Sequence, residues 1–130
     1  MIQLLALLAA TLAGPDPVPA LEAVKTCDRQ AMSGLVKAEP RRRADFAATA
    51  YAEQQSIARD RAALLARQTV ESSAAGKASL DLALTQLEAR QKQLEDARAV
   101  ERGWRDLYDE LRADYLANCA GGKGSLGGTP

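Results

Sequence analysis

The sequence predicts an all-α fold: an antiparallel hairpin of two long coiled-coil helices, preceded by a short N-terminal helix and stapled by a disulfide. Three observations support it. The 130-residue chain is rich in Ala, Leu, Glu and Arg and has only 4% aromatic residues, a composition that favours helix over sheet. Residues 79–118 contain no Pro and a single Gly. The two Cys residues lie at opposite ends of the predicted helical region.

The N-terminal segment, residues 1–20, differs from the rest of the chain. Residues 2–13 are apolar and uncharged, and a Gly- and Pro-rich patch follows. This run is shorter than the roughly 20 residues needed to span a bilayer, and its layout is that of a secretory signal peptide. Cleavage after Ala20 is the first choice and cleavage after Ala13 the second, while the alternative is an ordinary buried N-terminal helix. The predicted organisation is a signal peptide at 1–20, a helical hairpin domain at 21–119 and a disordered Gly-rich tail at 120–130.

Apolar spacing predicts the first two helices of the domain. The first covers residues 21–39 and ends at Pro40, because a proline disfavours helix at the residue before it. The second covers residues 41–71, and its apolar side chains are mostly small. Its predicted seam is thin and repeats every three to four residues: Ala47, Ala50, Ile57 and Leu64.

The third helix is predicted to cover residues 79–118, after a break at 72–77. Gly76 is suited to ending the second helix, and Ser79 to capping the third. Its first half shows heptad spacing at Leu80, Leu84, Leu87, Gln91 and Leu94. After Leu94 the seam is predicted to slip by one short step, continuing through Ala97, Val100, Trp104, Leu107, Leu111 and Tyr115.

Apolar spacing alone does not separate a hairpin from a straight parallel coiled coil, but the two cysteines support the hairpin. In an antiparallel pair, residues at the same level have numbers that average to the turn position, and Cys27 and Cys119 average to 73. A disulfide between them is natural in an oxidising compartment, and the alternative is two unpaired buried thiols. By the same rule Arg41, Arg42 and Arg43 face an acidic stretch, so an internal charge match is favoured over a membrane-surface or anionic-ligand patch. That stretch contains Asp106, Asp109, Glu110 and Asp114.

A group of large side chains on the third helix is a possible partner surface: Trp104, Tyr108, Leu111 and Tyr115. They share one helix face, and two helices alone cannot bury all of them. Either the short first helix covers them or a partner chain does, and internal packing is the favoured interpretation.

The sequence gives little support for a catalytic function. The chain has no His, which excludes the common catalytic triads, and two Cys alone cannot complete a tetrahedral zinc site. No cofactor, metal or small-molecule substrate is expected. Lys plus Arg and Asp plus Glu each number 17, so neither nucleic-acid binding nor contact with a membrane surface is expected.

These observations favour a periplasmic or secreted, non-enzymatic helical protein of the cell envelope. It would bind a protein partner, or itself, through the seam between Leu80 and Tyr115. The second hypothesis is a holdase-type chaperone that holds unfolded clients between its helices. A small hydrolase or lytic factor ranks third.

Overall fold

The computed structural model describes residues 12–120, and its regular elements there are helices. Helix α1 spans Val18–Lys25, α2 spans Arg29–Gln68, and α3 spans Ala74–Tyr115 and runs into a π-helical turn at Leu116–Ala120. Helices α2 and α3 pack against each other and α1 is short, so the predicted all-α hairpin is confirmed. Residues 1–11 of the predicted signal peptide and 121–130 of the predicted tail lie outside the described residues.

The helices form two compact units. The turn unit comprises Phe46–Arg98 together with Leu12, and the disulfide unit comprises Ala13–Asp45 together with residues 99–120.

In the turn unit, two helical segments share one apolar seam. The buried residues are Phe46, Ala50, Ile57, Leu87, Leu94 and Ala97, with Leu12 and Leu64 partly buried against them. Beside this seam, Arg90 donates hydrogen bonds to Glu53, Ser56 and Asp60 of α2 at 2.8–3.0 Å. The predicted seam residues Ala50, Ile57 and Leu64 therefore contribute, whereas Phe46 replaces the predicted Ala47, which is exposed.

In the disulfide unit, α1 lies against α2 and α3 and adds a third helix to the pair. Ala20 packs with three residues of α3: Trp104, Tyr108 and Leu111. A second cluster joins Met32, Tyr115 and Cys119, with Val24 of α1 packed against it. Burial of Ala20 and Ala23, at 2% and 3% exposed, shows that α1 belongs to the folded core of this unit.

The break between α1 and α2 lies at Thr26–Cys27–Asp28, upstream of the predicted position. Cys27 has φ 50°, and two bonds of a Schellman motif end α1: Asp28 N–H to Ala23 O at 2.8 Å and Cys27 N–H to Val24 O at 3.2 Å. Asp28 then caps α2 by accepting the N–H of Ala31 at 3.0 Å. Cys27 thus ends α1, and the next residue, Asp28, begins α2.

The predicted helix end at Pro40 is wrong, because α2 continues through this residue. A proline inside a helix costs about 3 kcal/mol, since one backbone hydrogen bond is lost. On either side of Pro40, Val36 packs with the aromatic clusters and Glu39 and Arg42 join a buried charged cluster. These tertiary contacts offset the cost of the proline.

The turn between α2 and α3 also differs from the predicted details. No described glycine has a positive φ, and Gly76 lies inside α3 rather than ending α2. Ser73 is the cap: its hydroxyl accepts the Gly76 N–H at 3.0 Å, and Glu71 in turn accepts the N–H and hydroxyl of Ser73. Ser79 lies in the second turn of the helix, where a cap is no longer needed.

The predicted slip in the α3 seam is also wrong. Val100 is exposed and Glu101 is buried, so a regular alternation of three and four residues continues to Tyr115. The buried positions after Leu87 are Leu94, Ala97, Glu101, Trp104, Tyr108, Leu111 and Tyr115. Arg90 occupies the remaining seam position. The repeat is unbroken because two of its positions are charged residues with partners on α2.

Candidate functional site

The disulfide closes one end of the disulfide unit. Cys27 and Cys119 are bonded, with Cα atoms 5.4 Å apart and a sequence separation of 92, so the predicted pairing is confirmed. Cys27 lies at the break after α1, and Cys119 lies in the π-helical turn after α3. Closing so long a loop stabilises the folded state by roughly 4 kcal/mol in the chain-entropy model.

The four residues of the predicted partner surface are brought together on α3, but they face inward. Trp104 and Tyr108 are each 6% exposed, and Leu111 and Tyr115 are each 7% exposed. Residues of α1 and α2 cover them, which agrees with the internal packing that the sequence favours. Trp104 and Leu111 would meet a partner only if the covering helices moved away, whereas Tyr108 and Tyr115 each line part of a cavity between α2 and α3.

A buried charged cluster lies beside Trp104. Glu39 and Glu101 are 5% and 4% exposed, and Arg42 lies between them with hydrogen bonds of 2.8–2.9 Å to both carboxylates. Arg43 and the Trp104 indole N–H also donate to Glu39, and Arg105 donates to Glu101. Every buried carboxylate oxygen therefore accepts at least one charge-assisted or indole hydrogen bond.

Two opposing effects set the pKa of each buried carboxyl. Burial raises the pKa of Glu39, but hydrogen bonds from Arg42, Arg43 and Trp104 outweigh it and lower the pKa to about 2. Burial likewise raises the pKa of Glu101, and bonds from Arg42 and Arg105 reverse the direction. Both carboxyls are thus held as carboxylates, so neither is suited to acting as a general acid near neutral pH.

The predicted charge match of the Arg triplet is only partly observed. Arg43 lies 3.6 Å from Asp109 across the hairpin, whereas Arg41 is 3.9 Å from Asp45 on its own helix. The strongest partners of Arg42 are Glu39 and Glu101, outside the predicted acidic stretch. Among the described residues, Asp106, Glu110 and Asp114 form no ion pair with the triplet.

An open groove between α2 and α3 begins at the disulfide. Its first cavity has a volume of about 550 Å³. Buried side chains form its floor, a half-buried and an exposed apolar residue form its sides, and polar or cationic residues lie around it. The lining residues are Cys27, Arg29, Met32, Ser33, Val36, Lys37, Arg112, Tyr115, Leu116 and Cys119.

The groove continues into a second cavity of about 400 Å³, which Val36 and Arg112 also line. The remaining lining residues of that cavity are Glu39, Pro40, Arg43, Tyr108 and Asp109. We refer to the two cavities together as the α2/α3 groove. Its α2 side runs from residue 29 to 43, about 21 Å at the rise of an α-helix.

The two ends of the α2/α3 groove differ in charge. In the second cavity the acids are engaged, since Glu39 is bonded to three donors and Asp109 lies near Arg43. The first cavity is lined by three cations and no acid. Within residues 12–120, Arg29, Lys37 and Arg112 have no carboxylate within ion-pairing distance. The end nearest the disulfide therefore combines apolar lining with three cations that form no ion pair within residues 12–120.

Among residues 12–120, no group of three or more acidic or thiol side chains is arranged to hold a metal ion. No helix there is long and apolar enough to cross a bilayer. Comparisons with protein-family models, with curated proteins and with solved structures found no match.

Sequence reasoning missed both the buried charged cluster and the groove. One signal of the cluster was present: Glu39 precedes Arg42 and Arg43 by three and four residues, the spacing at which helical side chains meet. Another was that Glu101 falls on the heptad once the repeat is extended from Leu94. The groove has no comparable signal, because its lining comes from two segments far apart in sequence.

Proposed function

We propose that this chain is an exported, non-enzymatic helical protein of the cell envelope, and that it binds a protein partner through the α2/α3 groove. The observation that carries the proposal is the first cavity, where Met32, Val36 and Tyr115 line an apolar opening below three unpaired cations. An apolar groove between helices is a recurrent binding surface for a segment of another protein. Both sides of the groove are regular helices, which hold a binding surface in a fixed arrangement.

Two features support export. The first 20 residues have the pattern of a signal peptide, and a disulfide joins the ends of the hairpin, as expected in an oxidising compartment. One observation favours the alternative instead. Leu12 packs against the turn unit, and an ordinary N-terminal helix would explain that contact.

The packing of α1 favours cleavage after Ala13 over cleavage after Ala20. An added Cβ at Gly14 would lie 2.5 Å from a methyl carbon of Val100, so the chain approaches α3 closely at this residue. Asp16 accepts the Val18 N–H at 3.0 Å, and Ala20 is buried. Removal of residues 14–20 would therefore take away part of the folded unit.

The proposal is tested in the organism that makes the protein. The chain carries a photo-reactive benzoylphenylalanine either at Ser33, which lines the groove, or at Gln55, which is exposed in the turn unit. We expect an oxidised chain in the exported fraction and a discrete cross-linked species from Ser33 only. A chain confined to the cytosol, or cross-linking equal at both positions, would contradict the proposed function.

A holdase-type chaperone is the second candidate, and a feature of the turn unit favours it. Tyr51, Leu65 and Leu82 are 66%, 47% and 61% exposed, and apolar surface of this kind is what unfolded clients bind. The test is aggregation of a reduced, unrelated protein at increasing ratios of this chain. Absence of suppression at a molar excess would eliminate this candidate.

A further inference from the structure

We infer that the partner presents an acidic amphipathic helix and that this helix lies in the α2/α3 groove. The inference rests on the proposed function and specifies the chemistry of the partner. A groove between two helices is a common seat for a third, whose apolar side chains enter at spacings of three and four residues. Here α1 already packs against α2 and α3 with Ala20 and Val24, and the groove is open to another occupant.

The dimensions of the groove suit a helix. Its α2 side extends about 21 Å, the length of roughly 14 helical residues. The two cavities, of about 550 and 400 Å³, follow each other along this line and share Val36 and Arg112. Two or three apolar side chains of a docked helix would therefore have separate places to enter. Both cavities are open to one side, so a helix would approach the groove from solvent.

Charge selects an acidic helix over a basic one. Arg29, Lys37 and Arg112 surround the first cavity and pair with no carboxylate in residues 12–120. Arg42, Arg43 and Arg105 in the same unit are all paired. Carboxylates on the flanks of a docked helix would supply the missing partners, which favours association and sets its orientation.

A glycine next to the groove residue Ser33 in sequence provides a further test. Gly34 lies inside α2, where glycine costs up to about 1 kcal/mol relative to alanine. A Cβ built on Gly34 meets no atom within 4 Å, so packing within the described residues does not require the glycine. It neighbours Ser33 on the rim, where a small residue would let another helix approach closely. Gly103 has equally open surroundings away from the groove and serves as its control.

The test uses the full oxidised chain and two synthetic peptides of about 16 residues, a length matched to the groove. Both peptides carry Leu at helical spacings of three and four, and the other positions are Glu in one and Lys in the second. Fluorescence anisotropy measures their binding. We expect saturable binding of the Glu peptide, weaker at higher salt, and binding of the Lys peptide at least about tenfold weaker.

Variants locate the binding site. The double variant Lys37→Glu, Arg112→Glu and the variant Leu116→Asp should each weaken binding of the Glu peptide at least about tenfold. The matched charge reversal Arg59→Glu, Arg102→Glu should leave binding unchanged, because neither residue lines the groove. Gly34→Leu should weaken binding and Gly103→Leu should not. Circular dichroism checks that every variant folds.

Several outcomes would overturn the inference. These are equal binding of the two peptides, no binding of the Glu peptide, or binding that the groove variants do not change. Binding of phosphatidylglycerol vesicles through Lys37 and Arg112, without binding of the peptide, would also overturn it. So would dimerisation of the chain through Leu116. If the peptide fails and Ser33 still cross-links a partner in cells, the proposed function stands and the acidic helix is excluded.

Discussion

The indole N–H of Trp104 donates a 2.9 Å hydrogen bond to Glu39, a residue 65 positions earlier in the chain. The same carboxylate also accepts from Arg42 and Arg43. A large aromatic residue, a buried acid and two guanidinium groups are thus joined in one contact between α2 and α3. Both guanidiniums also lie over aromatic rings, Arg42 at 5.7 Å from the centroid of Trp104 and Arg43 at 5.3 Å from that of Tyr108.

This contact predicts a loss of stability in acid. The folded-state pKa of Glu39 is about 2, below the ordinary value of 4.5, so its contribution is complete above pH 4.5 and disappears as the pH falls towards 2. The lowered pKa of Glu101 acts in the same direction. A shift of this size corresponds to roughly 3 kcal/mol.

Urea unfolding of the wild type and of Glu39→Gln between pH 7 and pH 2 measures this effect. We expect the wild type to lose more free energy of unfolding over this range than the variant does. Glu110→Gln is the control, because Glu110 is exposed and forms no ion pair within residues 12–120. Parallel pH curves for wild type and Glu39→Gln would show that the carboxylate is not linked to folding.

A second prediction concerns the left-handed backbone of Cys27, at φ 50°. Non-glycine residues in this conformation cost roughly 1–2 kcal/mol, and glycine avoids the penalty. In a Cys119→Ala background, we therefore expect Cys27→Gly to be more stable than Cys27→Ala by about 1 kcal/mol. The same comparison at Thr26, where φ is −96°, should give no advantage to glycine. An equal preference at both positions would rule out the proposed strain.

A third prediction separates the observed cap of α3 from the one that the sequence suggests. Ser73→Ala removes the acceptor of the Gly76 N–H and should lower the free energy of unfolding by about 1 kcal/mol. Ser79→Ala, inside the helix, should leave stability unchanged or raise it by a few tenths of a kcal/mol. Chemical denaturation measures both, and a larger loss for Ser79→Ala would place the start of α3 at the later residue.

A fourth prediction concerns the N-terminus of the exported form. Because residues 14–20 belong to the folded disulfide unit, N-terminal sequencing should begin Gly14-Pro15-Asp16. A chain beginning at Leu21 would mean that the Ala20 site is used. A chain that retains Met1 would support the N-terminal helix in place of the signal peptide. A recombinant protein of residues 21–130 should have a free energy of unfolding more than about 1 kcal/mol lower than one of residues 14–130. The shorter protein lacks the first residues of α1 and the hydrogen bond from the Val18 N–H to Asp16.

The hairpin could be predicted because its signals are the spacing of apolar residues along a helix and the sequence positions of the two cysteines. Leu87 and Leu94 fall on a heptad, and the midpoint of Cys27 and Cys119 coincides with the only polar break between long helices. The inward position of Trp104 was the favoured interpretation, although it was reached through a slip in the spacing that the structure does not have. These inferences need no knowledge of which side chains meet.

The errors arose where a residue depends on a distant partner. Burial of Glu101 depends on Arg42, 59 residues away, together with Arg105 on its own helix, and so Val100 was expected in the seam instead. Pro40 was expected to end a helix because local propensity omits the packing of Val36 and Glu39. Cys27 takes a conformation usually reserved for glycine, so composition gave no sign of the break there. The groove could not be predicted for a further reason. Its lining residues come together only when α2 and α3 pack in their observed register.

The disulfide has one more consequence, for the connectivity of the chain. Residues 27–119 form a covalent ring that includes both long helices and the turn between them. A protease that cuts the ring once, for example at the exposed Thr69 or Val70 between α2 and α3, therefore produces a nicked molecule of unchanged mass apart from one added water. Neither arm can leave until the sulfur–sulfur bond is reduced. Resistance to a single proteolytic cut is thus a property of the linkage itself, separate from the strength of the packing.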